Sequence, residues 1–454
     1  MPSLETLKQS VSGIVIARED DDYPAARDNL IWNSRKPERF PDAIVGATSV
    51  KDVQATVRFA HRHGLKVTAR GGGHHWSGVA LQEGIVIDLS ALNHVKIDPV
   101  ARIAETGPAV TNRDLARSLS EHGLAFPVGH CPTVPLSGYL LGGGFGWNAG
   151  TWGIACFSVE SVDVVMADGE LIRASLAENP EVFWAARGAG PAFFGVVVGY
   201  RLRLQRLPRA ITTSTWTYAL TDIAKIERWI STTLPVLPRN VEFTVMMSSA
   251  PPAIARRAPK VATAVATVFA DSVEEARTVL GKIASGAPDG AIVTDLNLPT
   301  PFDALFDMIG ASFPEHRRYA ADTYWSASRA GDFLEELASR VQQAPSPASL
   351  GIGCILPPPV PGEPGLPDAA FSMFAPVFGC SYAIWEDPAA DDVNLRWLRD
   401  TGEKVAPLTV GHYLGEADLD NPSRTPRSFS PAAWNRLKQL QVTYDPNGTF
   451  RKPQ

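Results

Sequence analysis

Cysteine is scarce: Cys131, Cys156, Cys354 and Cys380 lie far apart, with no C-x-x-C pair among them. That spacing suggests neither a disulfide framework nor a zinc knuckle, so no metal is expected and a reducing, cytoplasmic setting is the default. A basic excess is also missing. Lys and Arg number 42 against 48 Asp and Glu, for a formal charge of −6, which leaves nothing to hold a phosphate backbone and excludes nucleic acid as an expected partner. Long apolar runs are absent too. The N-terminal apolar stretch is interrupted by Ser12 and Gly13, so neither a secretory h-region nor a membrane span is read, and no membrane partner is expected. There is no G-x-G-x-x-G between a strand and a helix and no G-x-x-x-x-G-K-[ST], which removes the Rossmann and P-loop ways of holding a nucleotide. No internal repeat is evident.

What is present is length and apolar content. With 454 residues, 45% of them hydrophobic, the chain is long enough for two to three domains with packed cores. Ser49, Asp52 and Gly64 bracket the apolar series Val53, Val57, Ala60, the signature of a capped helix with a glycine stop. A strand over 65–69 leads into the loop Arg70-Gly71-Gly72-Gly73-His74-His75-Trp76-Ser77-Gly78. Strands follow at 85–89 and 103–106, and a helix at 111–122 closed by Gly123. The tract from Gly129 to Gly146 is dense enough in glycine to read as irregular backbone. A hairpin turning at Asp168-Gly169, a short helix at 181–187 and a strand at 195–205 complete this half. Beyond Ile211 longer strands alternate with helices, an α+β pattern with an antiparallel sheet. The stretch 357–367, with six prolines and two glycines, reads as a surface loop.

Glycine runs such as Gly71–Gly73 and Gly142–Gly144 let backbone N–H groups approach a pyrophosphate closely, although a single run serves equally as a turn. Two runs in one half favour a dinucleotide. The segments Arg70-Gly71-Gly72-Gly73-His74 and Gly129-His130-Cys131-Pro132-Thr133-Val134 resemble the paired attachment motifs of the berberine-bridge-enzyme-like FAD oxidases of the vanillyl-alcohol-oxidase superfamily. Asp52-Val53-Gln54, Leu141-Gly142-Gly143-Gly144-Phe145-Gly146, Phe183-Trp184-Ala185-Ala186-Arg187-Gly188-Ala189-Gly190 and Tyr444-Asp445-Pro446 with Phe450-Arg451 are similar to that family as well. The resemblance covers about 43–207 and the last fifty or so residues, and is weak between.

It implies a PCMH-type FAD-binding domain of two α/β subdomains, formed by 1–207 together with a returning segment 408–454. It also implies a substrate domain, 208–407, with an antiparallel sheet covered by helices. By the same resemblance FAD is the cofactor, bonded through His74 and Cys131, with Arg70, Gly71, Gly72, Gly73, His75, Gly78, Thr133, Val134, Gly138, Gly142, Gly143, Gly144, Gly146 and Val197 around it. Chemically, a neutral imidazole and a thiolate are soft nucleophiles able to add to an electron-poor isoalloxazine. On the residues alone, His74 also serves as a turn residue, His75 is the alternative ligand, and Cys131 is also readable as an inert buried thiol.

By the same resemblance Val134 stands where a valine goes with O₂ as electron acceptor, while Pro135 replaces the family's usual glycine and alters the local backbone. A strand-like segment 410–416 carries Tyr413 and Glu416 as candidate catalytic groups, with Gly415 where asparagine is usual. Strand parity turns the two to opposite faces and favours Tyr413. Tyr139, Tyr324, Trp325 and Tyr382, with Trp385, are candidate substrate contacts or core fillers. The expectation is oxidation of an alcohol or amine carbon of a small, ring-bearing substrate, with O₂ reduced to hydrogen peroxide. A dehydrogenase, a carbohydrate oxidase and a non-catalytic flavin-binding protein are the alternatives. Oligomeric state is not legible.

Overall fold

The helix expected after Ser49 spans Val50–His63 in the computed structural model, which describes residues 4–233, 237–357, 362 and 365–450. Ser49 and Asp52 cap each other reciprocally, and Gly64 ends the helix at a φ of 65°, a left-handed conformation that glycine adopts without Cβ strain. This helix packs Val53, Val57 and Ala60 against the first sheet. That sheet contains β1 (Ile14–Ala17), β2 (Ala43–Gly46), β3 (Val67–Arg70) and β4 (Ile85–Asp88), in the order β1-β2-β4-β3. The β2–β4 and β4–β3 pairings are parallel, and β1–β2 is antiparallel.

Six strands follow: β5 (Val95–Asp98), β6 (Ile103–Thr106), β7 (Leu124–Ala125), β8 (Val159–Val165), β9 (Leu171–Ser175) and β10 (Val196–Arg203). Five of them form an antiparallel sheet ordered β5-β6-β10-β8-β9, and β7 pairs instead with β11 (Gln205–Arg206). The third sheet has seven antiparallel strands: β12 (Ala210–Ala219), β13 (Val241–Ser249), β14 (Lys260–Ala270), β15 (Val293–Pro299), β16 (Arg318–Ser326), β17 (Leu350–Ile355) and β18 (Val377–Trp385). Its order is β15-β12-β14-β13-β17-β18-β16. The helices Ile223–Thr233, Val273–Ala284 and Ala330–Gln342 bury their apolar stripes on one face of this sheet. The other face is left for a cavity. The molecule is therefore α+β.

Alternation along β13 shows why the sheet has two characters: Val241, Phe243, Val245 and Met247 enter the helix-covered core, while Glu242, Thr244 and Met246 face the cavity. The chain then returns. Helix Pro431–Tyr444 buries Leu437 and Leu440 in the core that also holds Val162 and Phe194, and Phe450 bridges to Val67 of β3. No helix among the described residues is long and apolar enough to cross a membrane.

Two sequence expectations need correction. The tract 129–146 is not irregular throughout, because Leu136–Leu141 forms a helix that buries Leu136 and Leu140, with extended Pro135 at its N-cap and Gly142 at its end. Segment 410–416 is not a strand: it makes a single bridge, Gly411 to Trp325, and turns from Leu414. Its backbone is tied instead to Thr323, whose hydroxyl accepts from Tyr413 N at 2.9 Å and donates to Tyr413 O at 3.1 Å. Of the proline-rich 357–367, residues 358–361 and 363–364 lie outside the described residues.

Candidate active site

A cavity of about 970 Å³ extends from β3 and Phe450, past both glycine-bearing loops, to the inner face of the seven-stranded sheet. That is near the upper end of the roughly 300–1,000 Å³ common for ligand sites. Two elements position its wall. The loop after β3 carries Gly71, Gly72, Gly73, His74 and His75, and Gly73 holds a φ of 66° with the space for a Cβ already taken by Leu30 O. The loop 129–134 is clamped by the N-terminus of helix Asn112–Ser120: Asn112 Nδ2 donates to Cys131 O at 3.0 Å, and Asn112 N donates to Val134 O at 3.0 Å.

The loops touch each other, since a Cβ on Gly72 would lie 2.6 Å from Pro135 Cδ. His74 stacks on Trp32 with ring centroids 5.3 Å apart, and its imidazole hydrogen-bonds the backbone of Thr133. Cys131 Sγ lies 3.8 Å from Thr133 Oγ1. Thr133 thus joins the two nucleophiles on one wall. Burial, assisted by Arg70, lowers His74 to about 4, which keeps the ring neutral and a lone pair available. Burial pushes the Cys131 thiol up, against hydrogen bonds from Thr133 and Val134. His75 is engaged at both nitrogens: Nε2 donates to Leu414 O at 3.1 Å and Nδ1 accepts from Ser77 N at 3.3 Å.

Gly138, Gly142, Thr133, Val134 and Val197 also line the cavity. Arg70, Gly78, Gly143, Gly144 and Gly146 do not. Arg70 faces away to bond Leu30 O and Asp88, and Gly78 packs on Pro37. Gly143, Gly144 and Gly146 make room for Phe371 and Tyr139, so close packing rather than phosphate approach explains this glycine run.

At the sheet end, Glu416 accepts from Tyr382 Oη at 2.5 Å and from Trp76 Nε1 at 3.4 Å, and no cation among the described residues pairs with it. Phe313 and Trp76 pack edge-on to Tyr382, at 4.9 and 5.8 Å between centroids. Tyr413 also lines the cavity, because the turn after it removes the strand parity that would have opposed it to Glu416. Its oxygen accepts from Gly144 N and Phe145 N, each at 3.2 Å, and burial raises its pKa. Tyr139 lines the cavity with its hydroxyl bound to Pro127 O at 2.6 Å. Tyr324 and Trp325 do not reach it: Tyr324 lies in the helix-covered core beside Phe333, and Trp325 is packed between Phe374 and Phe378. Trp385 bonds Asp391 on the helix side.

Sequence reasoning missed Glu242, whose period-two placement on β13 was the available signal, and did not single out His130 within its motif. Trp32, Trp76 and Phe313 carried no pattern that marks them.

The chain is similar over 440 residues to the FAD-linked oxidoreductase nodO of Hypoxylon pulicicidum, at 30% identity and with 95% of this chain and 94% of that protein covered. It belongs to the FAD-linked oxidoreductases. Residues 41–175 of this FAD-linked oxidoreductase match a family model described as an FAD binding domain, a span that holds both attachment loops. Two solved structures share the fold. They are 6-hydroxy-D-nicotine oxidase from Arthrobacter nicotinovorans, with a TM-score of 0.83, 24% identity and 97% of each chain covered, and a Physcomitrella patens BBE-like protein, with a TM-score of 0.84, 19% identity and 100% and 98% covered. Their fold is the one described above.

The residues present fit FAD. Among the described residues none accepts a hydrogen bond from the N–H of Gly72, Gly73, His74 or His75, which leaves a row of donors beside the cavity for an anionic group. His74, Cys131 and the Gly138–Gly142 stretch would hold the remainder.

Proposed function

We propose that this enzyme carries FAD bonded to both His74 and Cys131 and oxidises an alcohol or amine carbon of a small, ring-bearing molecule, with O₂ reduced to hydrogen peroxide. The observation carrying this reading is the meeting of His74 and Cys131 at Thr133 on one cavity wall. Bound there, FAD supplies an acceptor for a hydride.

The chain's own residues do the rest. Neutral His74 would hold the group through a ring nitrogen and Cys131 through its sulfur, the thiol being kept protonated by burial before attachment. Tyr413 keeps its proton because burial disfavours the phenolate, so the substrate's O–H or N–H proton goes to Glu416, oriented by Tyr382 and Trp76. Aromatic walls exclude water and receive the substrate ring.

Acid precipitation tests the reading directly: yellow colour should stay with the polypeptide. His74→Ala and Cys131→Ser should each leave a flavin mass on the chain through the remaining link, and the double variant none. Colour released from the wild-type protein would sink it. A dehydrogenase is the second reading, favoured by Pro135 beside Gly72; slow reoxidation of the photoreduced protein in air would select it.

A further inference from the structure

β15 and β16 follow one another in the chain, yet they form the two opposite edges of the seven-stranded sheet. Six strand spacings lie between them, roughly 29 Å at about 4.8 Å each, so residues 300–317 must cross the whole sheet. They cross it on the cavity side. Met308, Ile309, Ser312 and Phe313 line the cavity, and Ser312 Oγ lies 4.0 Å from Met246 Sδ on the central strand β13.

This strap is held firmly at both ends. In its helix, Phe302–Ser312, the side chains of Phe302, Leu305 and Phe306 enter the core that also holds Leu115 and Leu119 of helix Asn112–Ser120. Arg117 Nε pairs with Asp303 at 2.9 Å and Arg113 with Asp307 at 2.5 Å. At the far end Arg317 O accepts from Ser34 N at 3.1 Å, and Arg317 pairs with Glu386 at 2.6 Å. The stretch 308–316 between these anchors is weaker. Met308 is 42% exposed, and the last helical turn contains Gly310 and ends on Phe313 with neither a left-handed cap nor a cation. His316 takes a φ of 61°, a left-handed position rare for a residue other than glycine. Beyond the helix, Pro314 O accepts from Tyr319 Oη at 2.5 Å. Phe313 stacks on Trp76 at 6.2 Å and meets Tyr382 edge-on at 4.9 Å, and these are the two groups that donate to Glu416.

We propose that residues 308–316 are the gate of the cavity, opening by unwinding of the last helical turn, with Phe313 as the latch that holds it shut. Shut, the latch covers the end of the cavity at which Glu416 stands and completes the aromatic wall that keeps water from it. Open, it leaves a passage beneath the strap while the anchors at Phe306 and Arg317 stay in place. The proposal takes the cavity as the substrate site, as in the reading above, and adds the way in.

Two thiols report on the gate without any turnover. Cys354 and Cys380 line the cavity at 4% and 2% exposure, whereas Cys156 is wholly buried and does not line it. The holoenzyme is treated with N-ethylmaleimide, and the rate at each cysteine is read by peptide mass spectrometry. Phe313→Ala should speed alkylation of Cys380 about tenfold or more, and Phe313→Tyr, which keeps the ring, should return it to the wild-type rate. Gly310→Ala adds a methyl that meets nothing within 4 Å and strengthens the last turn, so it should slow alkylation about threefold. Cys156 should keep one rate throughout. A Cys380 rate that is zero or equal in the wild-type and Phe313→Ala proteins overturns the proposal, as does a parallel rise at Cys156, which would mean general loosening. Intact mass of the same samples reads the flavin separately, so a wild-type chain without flavin sinks the oxidase reading while the alkylation rates still decide the gate.

Discussion

His412 has no route to water: it is 2% exposed, its Nδ1 donates to Thr323 O at 2.5 Å, and its Nε2 has no partner among the described residues. Burial, with Arg424 nearby, lowers it to about 3. A histidine held neutral in the folded state binds fewer protons than in the unfolded chain once the pH drops below its ordinary value of about 6.5. Its share of stability is therefore intact above about 6.5 and is lost as pH falls toward 3. Urea unfolding should lose about 1.4 kcal/mol per pH unit to this group between about pH 6 and 4, and His412→Asn should flatten that slope. An unchanged slope would assign the acid sensitivity elsewhere, for example to His75, which burial lowers to about 4.

At this scale the motifs single out His74 and Cys131, and the structure brings both to one cavity. The sequence was not readable where partners decide. Strand parity favoured Tyr413 over Glu416, and that parity is lost in the turn after Tyr413, where two N–H groups bond Tyr413 and uncharged donors bond Glu416.

The loop after β3 is built around one backbone conformation. Gly73 has a φ of 66°, and a Cβ there would sit 1.9 Å from Leu30 O and 2.9 Å from Leu30 C. Gly73→Ala should push His74 off the wall; the expected product is a folded protein with much reduced 450-nm-region absorbance, measured as flavin per chain. Normal flavin content would show that the loop yields without cost. The helix Val50–His63 makes the opposite kind of case, since its start and stop signals are local, with one long-range bond added at Asp52. Asp52 accepts from Ser12 N, Thr48 N and Ser49 N. Asp52→Ala should therefore cost about 1–3 kcal/mol in chemical denaturation while leaving flavin content alone.

Local signals were legible and non-local ones were not. Capping residues, the Asp168-Gly169 turn and alternating strands gave elements close to the observed ones. The 410–416 segment failed because its neighbours in the fold, Thr323 and Trp325, supply bonds that no periodicity within the segment reveals.

Across the molecule, the C-terminal segment is held to the seven-stranded sheet by Asp322 and Arg424, 1% and 7% exposed, with Arg424 Nε 2.8 Å and its terminal nitrogen 2.7 Å from Asp322 Oδ2. Asp418 N also donates to Asp322 Oδ1 at 3.2 Å, so the pair fixes the stretch that bears Glu416. Removing one partner of a buried pair leaves a bare charge and costs about 3–5 kcal/mol. Arg424→Leu should lose that much in urea unfolding and also impair turnover, whereas replacing both partners by apolar residues should recover much of the stability. A single variant as stable as wild type would mean that water reaches Asp322.

The two-sidedness of β13 has a consequence for how such enzymes diverge. One face of the strand answers to folding and the other opens on the cavity, where a substitution at Thr244 or Met246 leaves the helix-covered core untouched. Substrate preference can therefore drift one residue at a time on a scaffold that never has to be rebuilt, and relatives with the same architecture can act on unlike compounds.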